Sequence, residues 1–364
     1  MKRVLSIFYF LTWAIVTLAY DVEVNGLYFE VYPEYRRASV SVSKGDSYTG
    51  DICIPESVLY EGEEYPVTSI GMCAFGGCRG VTSVIIPNTV KSIGELAFSS
   101  TQITSIDLPS SVTFIGKYAF NRCELLSTIV IPDSVTFLGE MAFQGCIELT
   151  SVIIGNSLEE ISNNEFENCA NLTSVTLGNS IKKIGPYAFR FNHNLSDINF
   201  PKSLIEIESS AFEDCRRLKS ISLGSSVTKL GSMAFCWCKE LESVILSASL
   251  TDIEPYVFSG CQKLSSVTNL STEPQDIADK YVFYRCDLSQ CTLHVVPGCK
   301  NLYESAEGWK DFAVIVEDAD PASIAIQIAE DAEGAPVFNI FGIRITDAPA
   351  EGLLIRNHRV MLIK

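Results

Sequence analysis

The sequence is poor in the residues and motifs on which most enzyme active sites depend. Only three of its 364 residues are histidines (His193, His294 and His358), and none of them lies in a metal-binding or nucleophile motif. The sequence also lacks a glycine-rich phosphate loop and the G-x-S-x-G and H-E-x-x-H patterns. Its acidic residues are scattered over variable positions. We therefore predict a protein that is not an enzyme and that uses no cofactor or metal ion.

Positive charge is scarce as well. The chain has 27 Lys and Arg residues against 44 Asp and Glu residues, which gives a formal net charge of −17. A surface of this sign repels phosphate backbones and anionic lipids, so nucleic acid is not an expected partner. It leaves basic patches on a partner protein as targets.

Long apolar runs are absent except at the start of the chain. Two basic residues precede an apolar run from Val4 to Leu18, and small residues near Ala19 predict cleavage before Tyr20. This pattern predicts a signal peptide over residues 1–19, an exported chain and no membrane span after cleavage. The run is short for a membrane span, although an uncleaved anchor is the alternative interpretation.

What the sequence has in abundance is a repeat of about 23 residues. Ten phenylalanines follow one another at steps of 22 to 25 residues, mostly 23, and seven of them are preceded by Ala. The ten are Phe75, Phe98, Phe120, Phe143, Phe166, Phe189, Phe212, Phe235, Phe258 and Phe283. Such a period is the signature of stacked repeats.

Apolar residues recur at fixed offsets between these phenylalanines. The pattern Leu126-x-x-Ile129-x-Ile131 predicts a short strand with alternate side chains inward, and the following Pro or Gly turns the chain out of it. A second inward pair, such as Val112 and Ile115, predicts a return segment. One coil cannot close its own core, so each coil depends on its neighbours.

The blocks of the form Ile-Gly-x-x-Ala-Phe-x-x-Cys carry a family resemblance. Ile93 to Phe98 and Leu138 to Cys146 are examples, and they resemble the BspA-type leucine-rich repeat family over about residues 50–316. The resemblance implies a β-rich leucine-rich-repeat solenoid of ten coils, with an N-terminal β cap and a small C-terminal β module. The expected divisions are a cap over 20–66, the solenoid with its closing segment over 67–316, a linker over 317–334 and a β tail over 335–364.

The tail, residues 335–364, reads as three or four short strands. Its two glycines, Gly342 and Gly352, and the final Lys364 resemble the short C-terminal sorting tails of secreted Bacteroidota proteins. The alternative is a small β cap without a sorting role.

Thirteen cysteines ordinarily suggest disulfides or a metal site. Eight of them lie three residues after a repeat phenylalanine: Cys78, Cys123, Cys146, Cys169, Cys215, Cys238, Cys261 and Cys286. This spacing predicts one column of buried thiols, each bonded weakly to a turn carbonyl, with Asn192 in the same place in another coil. Bridges between neighbouring coils are the alternative, and outside the column Cys291 with Cys299 is the best candidate pair.

Four aromatic residues stand at positions where other coils carry polar residues, and these are the candidate ligand contacts. Phe114 and Phe137 occupy the same outward position of adjacent return segments. Phe191 and Trp237 occupy one turn position, two coils apart. Exposed aromatics suit protein hot spots or stacking on sugars. The alternative for each pair is packing against a neighbouring loop.

The family resemblance also implies a class of function. It predicts a secreted or cell-surface scaffold for binding or adhesion, with protein or glycan ligands that include host matrix proteins. A structural component of a bacterial cell-surface assembly is the alternative.

Overall fold

The computed structural model describes residues 21–43 and 47–319 in full, together with the backbone of four strands between 337 and 363. The predicted signal peptide and nearly all of the predicted linker lie outside the described residues.

The N-terminal strands begin the two sheets that the solenoid continues. They are β1 (Val22–Val24), β2 (Leu27–Tyr32), β3 (Arg37–Val40), β4 (Thr49–Cys53), β5 (Ser57–Tyr60) and β6 (Glu63–Ile70), with a 3-10 turn at Pro33–Tyr35. Strands β1, β2 and β3 pair in antiparallel order, β3 then pairs in parallel with β6, and β5 pairs in antiparallel with β6. Alternate side chains of β2 are buried, as expected for a sheet with one face on the core.

Most coils then contribute a strand to the first side of the solenoid. These strands are β7 (Gly80–Ile85), β10 (Thr128–Ile131), β12 (Ser151–Ile154), β14 (Ser174–Thr176), β16 (Asp197–Asn199), β18 (Ser220–Ser222), β20 (Ser243–Leu246) and β22 (Ser266–Asn269). Pairing is parallel and in register, so that Thr128 stands opposite Ser151 and Ser151 opposite Ser174. Strand β4 pairs with β7 and opens this side.

The return side consists of two-residue strands, each with one outward and one inward residue. They are β8 (Ser92–Ile93), β9 (Phe114–Ile115), β11 (Phe137–Leu138), β13 (Glu160–Ile161), β15 (Lys183–Ile184), β17 (Glu206–Ile207), β19 (Lys229–Leu230) and β21 (Asp252–Ile253). Strand β6 pairs with β8 and opens this side. Every second residue of these strands is buried.

The ten repeat phenylalanines form one continuous column through the core, here called the Phe column. Neighbouring rings lie 5.0 to 5.8 Å apart between centroids, with planes within 13° of parallel. Tyr48 packs on the first ring at 5.2 Å, and Trp309 and Phe312 meet the last ring edge to face. The two ends of the column are thus closed by aromatic residues from the cap and the closing segment.

The predicted thiol column is confirmed, and its bonds follow one rule. From Cys123 onwards, each thiol donates to the carbonyl of the repeat phenylalanine in the preceding coil, at 3.1 to 3.3 Å between sulfur and oxygen. Asn192 replaces one thiol, and its Nδ2 donates to the Phe166 carbonyl at 3.0 Å. Burial raises the pKa of Cys123 and of Cys169 to about 12.

All thirteen cysteines are free thiols. The proposed Cys291–Cys299 bridge is therefore wrong. Strand β23 (Thr292–Val295) runs extended between the two residues, and Cys299 stands at the N-cap of helix α1 (Lys300–Ser305), so strand and turn carry the thiols apart.

The closing segment ends the first side of the solenoid. Strand β23 pairs in parallel with β22, and β24 (Val314–Val316) pairs in parallel with β23. Trp309 is fully buried, and its indole N–H donates to the Gln275 carbonyl at 2.8 Å. Tyr303 donates to the Ser271 carbonyl at 3.0 Å. These two bonds fasten the closing segment to the last coil.

The C-terminal residues form a separate antiparallel sheet of four strands. They are β25 (Val337–Asn339), β26 (Arg344–Ile345), β27 (Gly352–Arg356) and β28 (Arg359–Ile363), in the order β26-β25-β27-β28. Four strands agree with the short strands expected of the β tail.

Candidate binding surfaces

Phe114 and Phe137, here called the aromatic pair, stand side by side on the return side. Strand register places them opposite one another, since β9 pairs with β11 in parallel. Their ring centroids lie 4.7 Å apart, with planes 5° from parallel. Even when stacked, the residues remain 39% and 49% exposed. The structure therefore brings together the two residues that the sequence placed in one outward column.

In the coils after the aromatic pair, the same outward position carries residues of alternating charge. Its members are Glu160, Lys183, Glu206, Lys229 and Asp252. Lys183 Nζ lies 3.1 Å from a Glu208 carboxyl oxygen and 3.5 Å from one of Glu206. The hydrogen bond to Glu208 is the largest cause of the raised pKa of Lys183. Half-exposed pairs of this kind add little stability, but they keep this stretch of the surface polar.

The turns beside the Phe column hold two left-handed residues per coil. One stands two residues before the repeat phenylalanine, as Tyr118 does, and one stands two residues after it, as Arg122 does. Phe191 and Trp237 occupy the second of these positions, with φ of 62° and 61°. Residues with a large side chain adopt this conformation only at a cost, so the stacked coils impose it.

Phe191 and Trp237 do not form a common surface. Asp214 occupies the same position in the coil between them and binds Arg216 at 2.7 Å. The Arg190 guanidinium lies 4.1 Å from the Phe191 ring centroid, and the Trp237 ring packs over Gly260, where an added Cβ would come within 2.6 Å of the indole. Each ring thus has part of its surface covered by its own chain.

Three tyrosines at the end of the solenoid form a cluster that sequence reasoning missed. Tyr256 and Tyr281 are stacked at 5.7 Å, and Tyr284 meets both of them edge to face at 6.4 and 6.2 Å. Tyr281 stands in the first left-handed position of its coil. The 25-residue step to Phe283 was the available signal, because a longer coil has to depart from the regular turn.

Two classes of site are not found in the described part of the chain. No group of three or more His, Cys, Asp or Glu side chains there could hold a metal ion. Among the same residues, no helix is long and apolar enough to cross a membrane.

The sequence matches the family model described as the BspA type leucine rich repeat region (6 copies). Overlapping matches cover residues 63–172, 115–242, 159–289 and 232–305. The chain belongs to the BspA-type leucine-rich repeat family. The solenoids of this family are generally scaffolds for protein interaction, and a leucine-rich-repeat solenoid is typically a non-enzymatic binding scaffold.

Solved structures include other bacterial leucine-rich-repeat proteins. A leucine-rich repeat protein from Bacteroides ovatus is 27% identical, with a TM-score of 0.55, over 81% of this chain and 88% of that one. A leucine-rich cell surface protein from Faecalibacterium prausnitzii is 24% identical, with a TM-score of 0.46, over 84% and 96% of the two chains. A search of curated proteins finds no match.

Proposed function

We propose that this BspA-type protein is exported and acts at the cell surface as a non-catalytic scaffold for binding or adhesion, with a protein or glycan as its ligand. The aromatic pair is the observation that carries this proposal. Two stacked rings that stay 39% and 49% exposed offer flat apolar area that a ligand can bury. Aromatic residues of this kind dominate the energetics of protein interfaces and also stack on sugar rings.

The position of the aromatic pair adds to this support. The two residues belong to short strands that pair in parallel, and Ile115 and Leu138 beside them are buried in the core. A contact surface built on packed strands loses little conformational freedom when a ligand binds. Phe191 and Trp237 are weaker candidates, since the chain's own Arg190 and Gly260 already cover part of each ring.

A component of the producing cell's own surface assembly is the second candidate function. It is favoured by the C-terminal sheet of four strands, which spans the segment that resembles a sorting tail. In that case the ligand would be a bacterial envelope protein instead of a host matrix protein or glycan.

A binding panel tests both functions at once. Matrix proteins, glycans and envelope proteins from the producing cell are immobilised, and the purified full chain is applied as wild type and as the Phe114→Ser/Phe137→Ser variant. Ile85→Ser is the matched control, because Ile85 is an exposed apolar strand residue on the other side of the solenoid.

We expect saturable binding to one member of the panel, with affinity lowered roughly tenfold or more in the double variant, as for loss of a hot spot. The control should bind like wild type. Equal loss in the control, or no loss in the double variant, would exclude the aromatic pair as the contact. Turnover of a peptide or glycan on the panel would contradict a non-catalytic scaffold.

A further inference from the structure

The last coil and the closing segment enclose a cleft of about 420 Å³, here called the C-terminal cleft. Return strands end with β21, and the step from Phe258 to Phe283 is the longest in the repeat. The loop that follows α1 forms the opposite wall. Gly308 adopts φ +81° there, and an added Cβ would lie 2.8 Å from Ile277 Cγ1. A glycine at position 308 therefore allows the loop to lie close to the last coil, and the cleft between them is narrow.

Exposed tyrosines form one wall of the C-terminal cleft. Tyr281 and Tyr284 are 58% and 48% exposed, and their rings stand edge to face at 83°. Both residues line the cleft, and the buried side chains of Val282 and Phe283 lie beneath them. The negative faces of such rings attract cations.

The charged residues that line the C-terminal cleft are all acidic. They are Asp279, Glu307 and Asp311, and no Lys, Arg or His is among the lining residues. Two neighbouring lysines form ion pairs, one with Asp252 outside the cleft and one with the lining residue Glu307. Lys280 Nζ lies 3.8 Å from Asp252, and Lys310 Nζ lies 2.7 Å from Glu307. Within the described residues, Asp279 makes no ion pair.

Arg285 supplies an internal example of the contact that the cleft offers. Its guanidinium carbon lies 5.3 Å from the Tyr284 ring centroid and 5.5 Å from that of Trp237. One of the two lining tyrosines thus already carries a guanidinium of its own chain, whereas Tyr281 faces the cleft beside Asp279.

The three carboxylates do not form a metal site, since no such group of ligands converges in the described residues. Carboxylates spread around an aromatic wall suit a broad, delocalised cation better than a point charge. A guanidinium stacks on a tyrosine ring and donates several hydrogen bonds to carboxylates in its own plane.

We propose that the C-terminal cleft binds an arginine side chain of a partner protein, with Tyr281 as the stacking surface and Asp279 and Asp311 as the acceptors. The net charge of −17 acts in the same direction, because it draws basic surfaces towards this chain. The proposal rests on the proposed binding function but uses a site separate from the aromatic pair.

Ligand-detected NMR titration of the full chain tests this proposal. The probe is the blocked peptide acetyl-Gly-Arg-Gly-amide, and its citrulline analogue, which keeps the shape and loses the charge, is the reference. The variants are Asp279→Asn/Asp311→Asn and Tyr281→Ser. Asn tolerates the left-handed φ of 54° at position 279, so the first variant keeps the backbone. Asp107→Asn is the matched control, because Asp107 is an exposed acid on the first side of the solenoid.

We expect saturable binding of the arginine peptide, with the dissociation constant raised roughly tenfold for the citrulline peptide and for each cleft variant, as for loss of one charge-assisted bond. Asp107→Asn should bind like wild type. Equal binding of the citrulline peptide, or equal weakening in Asp107→Asn, would overturn the proposal. So would a neutral oligosaccharide whose binding depends on Tyr281 and not on the carboxylates.

The same titration separates the two proposals. The Phe114→Ser/Phe137→Ser variant should bind the arginine peptide like wild type, because the aromatic pair is on the return strands β9 and β11 and not in the cleft. If the binding panel yields no ligand and this peptide still binds, only the role of the aromatic pair fails.

Discussion

At the scale of single residues, the core is built from positions that one coil repeats on the next. A residue that differs from the others at its repeat position can therefore be compared with the residues at that position in the adjacent coils. Asn192 shows that the thiol column accepts an amide donor, since its side chain bonds the carbonyl that a thiol bonds in other coils. Glu165 departs further, because it puts a carboxyl where seven coils have Ala.

The thiols provide the first prediction. Ten cysteines are buried, Cys53 is exposed, and Cys73 and Cys286 are intermediate. At pH 8 we expect a thiol reagent to label Cys53 quickly and Cys73 slowly, because burial raises the pKa of Cys73 and leaves little thiolate. The buried thiols should react only after unfolding, when thirteen are titrated in all. Fewer than thirteen under non-reducing denaturation would contradict the free-thiol core.

Glu165 provides the second prediction. It is fully buried, and neither carboxyl oxygen has a hydrogen-bond partner within the described residues. Burial raises the pKa of Glu165 well above its usual range. The folded state then keeps the proton that the unfolded state loses above about pH 4.3, so the cost grows by about 1.4 kcal/mol per pH unit until the folded pKa is reached.

We therefore expect Glu165→Ala to stabilise the protein at pH 7 by about 1–3 kcal/mol, because it removes a carboxyl that ionises in the unfolded chain and stays protonated in the core, and by much less at pH 4. Ala fits because Ala142 and Ala188 flank the position in the neighbouring coils. Urea unfolding at both pH values gives the comparison, with the exposed Glu124→Ala as control. A gain that is equal at both pH values would rule out the carboxyl as its cause.

At the scale of the element, each coil depends on two tight corners and on the strand between them. The corners carry Pro or Gly in most coils, and the space around the glycines differs from coil to coil. Where one glycine stacks directly on another, the two backbones touch. Where Gly224 follows Pro201, space remains, but where Gly155 follows Pro132, it does not.

Gly178 and Gly224 occupy the same corner position two coils apart and give a matched pair. A Cβ at Gly178 would lie 2.1 Å from the Gly155 carbonyl oxygen, whereas at Gly224 the nearest atom is the Pro201 oxygen at 3.5 Å. We expect Gly178→Ala to cost about 1–3 kcal/mol through overpacking. Gly224→Ala should be neutral or slightly stabilising through the lower entropy of the unfolded chain. Thermal unfolding of both variants decides, and equal changes would contradict the stacking.

The positions of strands and turns that recur in every coil could be predicted from the sequence. Features that occur in a single coil could not, because no repeat marks them. The spacing predicted the Phe column, the thiol bonds and the outward place of the aromatic pair. The same pattern occurs at Ile103 and Ile106, but the structure has no strand there. That coil is one residue shorter than its neighbours, between Phe98 and Phe120. The tyrosine cluster escaped prediction because its contacts join a lengthened coil to the coil before it.

At the scale of the whole molecule, the solenoid is a stack with aromatic closure at both ends. The cap adds Tyr48 to the first ring of the Phe column, and the closing segment adds Trp309 and Phe312 to the last. Between these ends the outward residues of successive coils line up in columns. Substitutions at these positions therefore change the binding surface and leave the core unchanged. Ligand identity follows from those substitutions and not from the fold.

The central claim is that ligand binding uses the aromatic pair on the return side. The most direct measurement is amide hydrogen exchange of the full chain, with and without the ligand that the binding panel identifies. We predict slower exchange confined to two return segments, residues 113–116 around Phe114 and residues 136–139 around Phe137. Slower exchange on the first side of the solenoid would contradict the claim. So would unchanged exchange in these two segments while the ligand is bound.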